Sequence, residues 1–98
     1  MIATFVTFKY EGDFNEAKIA KIAEMSRGKF EGMPGLRSKA FTIRAERREA
    51  TNVYVWDSED AAKAFFTPEM LERVTGIYGV RPTVEFATLA ALVDNAHA

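Results

Sequence analysis

The chain has 98 residues, of which 48% are hydrophobic and 28% charged, and its formal net charge is -1. This length suits one domain spanning residues 1–98, and the composition is that of a soluble globular chain rather than a disordered one. The near-neutral charge gives no basic field for a phosphate backbone, which argues against nucleic acid, and the lack of cysteine excludes disulfides and thiolate metal sites.

Ile2 to Lys9 (IATFVTFK) is rich in β-branched and aromatic residues and predicts a strand with apolar groups on both faces. Asp13-Phe14-Asn15-Glu16 has capping-box spacing and opens a helix that carries Ile19, Ile22, Ala23, Ser26 and Phe30 on one stripe. Pro34-Gly35 stops that helix. Leu36 to about Arg44 predicts a second strand, with Phe41 and Ile43 on one face and Ala40 and Thr42 on the other. The tip Ala45 to Ala50 lacks Gly, Asn and Pro, so a looser connection with a helical turn is expected rather than a two-residue turn.

Thr51 to Asp57 (TNVYVWD) carries the strongest strand signal. Ser58 then caps a helix with Ala61, Ala62, Ala64, Phe65 and Phe66 toward the core. Thr67-Pro68 restarts the helix in a new direction, with Leu71, Val74, Thr75 and Tyr78 on one face and Gly76 and Gly79 closing it. A last strand is expected from Thr83 to about Val93, long enough to reach a partner subunit, before a short polar tail from Asp94 to Ala98. The order β-α-β-β-α-β predicts an α+β, ferredoxin-like fold, a four-stranded antiparallel sheet with its helices on one face. The other face is too apolar to be left in water, so a homodimer through that face is expected.

The stretch from Gly32 to Phe66 (GMPGLRSKAFTIRAERREATNVYVWDSEDAAKAFF) joins a Pro-Gly corner, two strands with an aromatic end, and a capped alanine-rich helix. In that order it resembles the antibiotic-biosynthesis mono-oxygenase superfamily, and within it the YdhR-type mono-oxygenases most. The resemblance implies a dimeric α+β barrel. Cofactor-independent members use an Asn and a Trp to bind substrate and to stabilise a reactive anion and a peroxy intermediate. It therefore implies that Asn52 and Trp56 are hydrogen-bond donors in a pocket between sheet and helices, with Tyr54 beside them. Phe65, Phe66 and Tyr78 would be its apolar walls.

Asn52, Tyr54 and Trp56 alternate and so share one sheet face, but alternation does not say which. The competing reading is core or dimer packing with the polar tips satisfied. Arg37, Lys39 and Arg44 lie on the second strand, and any of them turned inward would hold an anionic group or a phenolate. Solvated edge charges are the commoner outcome. Glu85 reads as a base or, more commonly, an ion-pair partner.

Two functions are consistent with these residues: a cofactor-independent mono-oxygenase acting on a small aromatic or polyketide-like phenol or hydroquinone, and a non-catalytic small-molecule-binding or stress-type barrel. Isomerase or dehydratase chemistry on the same fold is a third. No cofactor is expected: no cluster of metal ligands is visible, and the sole histidine, His97, sits one residue from the end, unlike the internal axial ligand of haem-binding relatives. Ile2-Ala3-Thr4-Phe5 follow the first Met without the basic and apolar regions of a signal peptide. No apolar run approaches the roughly 18–20 residues of a membrane span, so the expected location is the cytoplasm.

Overall fold

The computed structural model describes residues 1–95 and runs β1 (Ile2–Lys9), α1 (Glu16–Phe30), β2 (Leu36–Arg44), β3 (Glu49–Trp56), α2 (Glu59–Phe65), α3 (Pro68–Tyr78) and β4 (Thr83–Thr88). The strands form one antiparallel sheet in the order β2-β3-β1-β4, the ferredoxin-like plan, with its second helical segment divided at Thr67-Pro68.

Register decides the faces. Val6 lies opposite both Asn52 and Val84, Phe8 opposite Ala50, and Phe41 opposite Asn52. Directly opposed residues share a face, so Val6, Phe8, Phe41, Asn52, Tyr54 and Trp56 all point the same way. The core confirms that this is the helix side: Val6, Phe8, Ala50, Tyr54 and Trp56 pack with Ile19 of α1, Ala62 of α2 and Tyr78 of α3. Phe8 is wholly buried and stacks on Tyr78 with centroids 3.7 Å apart. The opposite face bears half-buried Phe5 and Val53, exposed Ala40 and Ala87, and a hydroxyl pair, Thr7 and Thr51, at 3.2 Å.

Local signals act mostly where the sequence places them. Ser58 Oγ accepts from the Ala61 N–H at 3.1 Å and Thr67 Oγ1 from the Met70 N–H at 3.2 Å, with Pro68 in the first helical turn. The tip between β2 and β3 is a single 3-10 turn, Ala45–Arg47, closed by Arg48 in the left-handed region at φ 52°.

Three expectations are corrected. The cap of α1 is Asn15, not Asp13: its Oδ1 accepts from the Lys18 N–H at 3.0 Å. Phe14 and Ile19 then occupy the two positions of a hydrophobic staple, and both join the core, which fixes the helix start two residues later. Ala64 is exposed, and Met70, not foreseen as core, is buried at the start of α3. The last strand ends at Thr88 rather than near Val93. Thr88 pairs with Ile2, the first residue of β1, so beyond one further bond, Leu89 N–H to the Met1 carbonyl at 3.1 Å, this chain offers no strand to pair with. Leu92 and Val93 are exposed in consequence.

The Pro-Gly corner is held by contact as well as by conformation. Gly35 sits at φ +82°, and a Cβ there would lie 2.8 Å from the Ala61 Cβ. Its carbonyl accepts from the Asp57 N–H at 2.9 Å, tying the start of β2 to the end of β3. Gly35→Ala is therefore expected to lower stability by about 2–4 kcal/mol, the combined cost of a left-handed non-glycine residue and of overpacking. A lower urea midpoint at unchanged slope would show it.

Candidate functional site

Between α1 and the β2–β3 side of the sheet lies a cleft of about 470 Å³. Ile19 and Ala23 of α1 form one wall, Phe41 and Ile43 of β2 the other, and Asn52 and Tyr78 lie at its inner end. A narrower recess of about 50 Å³ continues inward past Lys39, Asn52 and Tyr78 to Tyr54 and Phe65. The volume of the outer cleft is that of a small-molecule site.

Asn52 is only 5% exposed, and its Nδ2 donates to the Tyr78 hydroxyl at 3.3 Å. A carboxamide has two N–H donors and a carbonyl, and the Asn52 amide acts on both the Tyr54 and Tyr78 phenols, so a ligand entering the cleft would share its donors with them. Burial raises the pKa of both Tyr54 and Tyr78, each tyrosine's neighbour Asn52 partly opposing it, so both phenols stay protonated at neutral pH. Tyr54 stacks on Trp56 at 5.6 Å and meets Phe66 edge-on at 5.0 Å. Trp56 is 1% exposed and its indole N–H has no partner. An unpaired buried donor costs about 1–3 kcal/mol, so that N–H has capacity to spare.

Lys39 is turned inward. Its Nζ donates to the Tyr54 hydroxyl at 2.9 Å and lies 3.3 Å from the Phe30 ring centroid, 4.3 Å from that of Tyr54 and 4.4 Å from that of Phe41. It makes no ion pair with a carboxylate among the described residues. Loss of water around the amine, reinforced by the nearby charge of Lys29, pulls its pKa down to about 7. The ring faces favour the ammonium by about 0.5–2 kcal/mol. Desolvation runs the other way and is the larger effect.

The residues singled out in the sequence are thus distributed unequally. Asn52 and Tyr78 line the outer cleft, and Tyr54 and Phe65 the inner recess. Trp56 and Phe66 lie in the aromatic cluster behind Tyr54, and line neither space. Arg44 is exposed on the opposite sheet face, in register with Glu49, and is not brought to the site. Arg37 is paired with Asp57 at 3.1 Å at the surface, and Glu85 is exposed on the helix-free face. His97 lies outside the described residues.

Sequence reasoning did not single out Phe30 and Phe41 as parts of the site, and ranked Lys39 with the solvated charges. A signal for Lys39 existed, since it has the parity of Phe41 and Ile43. A bulge at Arg37 breaks the parity upstream, so Leu36 and Lys39 face the same side despite being three residues apart. Among the described residues no group of three metal-ligating side chains is present, and no helix is long and apolar enough to cross a membrane.

A family described as "Putative mono-oxygenase ydhR" matches residues 4–92. No curated protein sequence matches the chain. Among solved structures, a monooxygenase from the gene ActVA-Orf6 of Streptomyces coelicolor, in complex with nanaomycin D, is 20% identical with a TM-score of 0.67, over 97% of this chain and 92% of that one. SnoaB, a cofactor-independent oxygenase from Streptomyces nogalater, is 21% identical with a TM-score of 0.58, over 98% of both chains. A Bordetella bronchiseptica protein described as "Putative antibiotic biosynthesis monooxygenase" is 15% identical with a TM-score of 0.68, over 92% of this chain and 97% of that one. At these identities the structures establish the fold.

Proposed function

Because the chain belongs to the ydhR family of mono-oxygenases, we propose that it oxygenates a small phenolic or hydroquinone-like aromatic, polyketide-derived compounds among them, without a bound cofactor. The observation that carries this reading is the cleft of about 470 Å³, whose walls mix apolar Ile19, Ala23, Phe41 and Ile43 with charged Glu24 and Arg27, with the Asn52 amide at its inner end. In such chemistry the substrate supplies the electrons. An anthrone, once deprotonated, transfers electrons to dioxygen and forms a carbon–oxygen bond. The resulting peroxide breaks its O–O bond, leaving a carbonyl, and one oxygen departs as water. The protein need only orient the ring and stabilise the developing negative charge. The Asn52 amide at the inner end of the cleft suits that role, and the unpaired indole N–H of Trp56 would add a second donor where a ligand displaces Phe65 and Phe66. The same pocket would serve a non-catalytic binding protein, a reading favoured for Trp56 by its complete enclosure.

Dioxygen uptake with a panel of anthrones and hydroquinones tests the proposal. Turnover that saturates with substrate is expected. Tight binding of the same compounds with no uptake above the uncatalysed rate would leave a binding protein.

We also place a homodimer within this proposal. The helix-free sheet face presents Phe5, Val53, Ala40 and Ala87, and the segment from Leu89 to Val93 continues past the last strand able to pair with β4. Light scattering is expected to report twice the chain mass, and Phe5→Asp, which puts a charge in that face, to halve it. A monomeric wild type would remove the dimer.

A further inference from the structure

Lys39 is a half-buried cation site with no ion-pair partner among the described residues. Its Nζ is enclosed by the faces of Phe30, Phe41 and Tyr54, it contributes to both the outer cleft and the inner recess, and no carboxylate reaches it. The other charged and titratable groups around it do not supply one. On α1, Lys29 repels it, while Glu24 borders the same outer cleft but is exposed and pairs with Arg27 at 3.8 Å. Glu31 lines a surface groove beside Phe30 and Phe41 that Lys39 also borders, together with Arg27 and Arg37, and it forms no ion pair with Lys39. From α3 come Arg73 and the Tyr78 phenol, and from β3 the Tyr54 phenol, and none of these bears negative charge at neutral pH. What the site lacks, a ligand must bring.

We propose that Lys39 is the catalytic base of this cleft: its uncharged amine takes the proton from a phenolic hydroxyl of the ligand and, as an ammonium, holds the phenolate, so that the site selects aromatics with an acidic hydroxyl over their ethers. This rests on the mono-oxygenase reading for its role in turnover, though not for binding. The step is a proton transfer alone. The ligand O–H bond breaks, an N–H bond forms on Nζ, and the net charge of the cleft is unchanged. Nζ already donates to the Tyr54 oxygen, which aims the remaining positions of the amine toward the open space. The ammonium later returns its proton to the oxygen that leaves as water, restoring the amine. A lysine held near pKa 7 can serve as both acceptor and donor at neutral pH.

The test uses 4-nitrophenol, which is yellow only when ionised, and 4-nitroanisole, its methyl ether. At pH 6, 4-nitrophenol bound to the wild type is expected to be yellow although the free compound is mostly colourless. Lys39→Met is expected to bind it at least tenfold more weakly and colourless, yet to bind 4-nitroanisole within threefold of the wild type. Lys39→Arg, always charged, should restore yellow binding but not turnover of weakly acidic phenols. Colourless 4-nitrophenol on the wild type, yellow binding by Lys39→Met, or turnover rescued by Lys39→Arg would each overturn the proposal. Folding is checked by the thermal midpoint. In the folded state the lysine pKa is depressed, so the charged amine costs stability fully below pH 7, and this cost fades as pH rises toward 10.5. Lys39→Met should therefore raise the midpoint most at pH 6 and least near pH 10. The yellow signal needs no oxygen chemistry, so failure of dioxygen uptake with yellow binding intact would sink the mono-oxygenase reading alone.

Discussion

Replacing Asn52 by Ala is expected to lower kcat for an anthrone substrate by about 10²-fold, the usual loss when one donor to a developing oxyanion is removed. KM should move little. A donor whose partner gains charge only during reaction contributes to the transition state and not to the ground state. The fold should survive, because the hydrogen bond from Asn52 to the Tyr78 hydroxyl is long, 3.3 Å, and its removal leaves that hydroxyl facing an open cleft. Both phenols lose the amide that opposes their raised pKa, so they stay more firmly protonated in the variant. Steady-state dioxygen uptake over a range of substrate concentrations separates the two parameters. An unchanged kcat would remove Asn52 from the mechanism, whatever happened to KM.

Trp56→Ala is expected to cost about 3–5 kcal/mol, the range for truncating a buried aromatic. Trp56 is 1% exposed and touches Tyr54, Phe65 and Phe66, so the cavity left behind cannot fill without moving three rings. Against a native stability of about 5–15 kcal/mol such a loss leaves much of the protein unfolded at modest temperature. Trp56→Phe should behave differently. It keeps an aromatic ring in the stack and deletes an N–H that has no partner, so the stability change is expected to stay below about 1.5 kcal/mol. Urea denaturation gives the first quantity for each variant. The pair therefore separates packing from chemistry: a stable Trp56→Phe protein with wild-type dioxygen uptake would mean that the indole serves the core alone.

The elements of the fold were legible because their signals are local. The period-2 pattern of IATFVTFK and TNVYVWD, the caps at Ser58 and Thr67, and the corner at Pro34-Gly35 act through neighbours within a few residues. The cap at Asn15 was misread for a related reason: two side chains with capping chemistry stand two residues apart, and burial of Phe14 and Ile19 chooses between them. The site was half legible. Alternation put Asn52, Tyr54 and Trp56 on one face, but only the pairing of β3 with β1 turned that face to the helices. It could not show that Trp56 lies behind Tyr54 while Asn52 reaches the cleft, since that difference comes from where α2 and its Phe65-Phe66 end settle.

What the sequence determined by itself is the order of strands and helices, the ferredoxin-like plan and the family resemblance, because each rests on short-range patterns that survive any packing. The tertiary structure decided where β4 stops and which cation turns inward. β4 ends where β1 begins, a matter of register between segments about 80 residues apart in sequence terms. Lys39 points into an aromatic enclosure because Phe30, nine residues earlier, and Tyr54 on the next strand close around it. A lysine in a sequence is expected in water; only neighbours brought together by folding can take that water away.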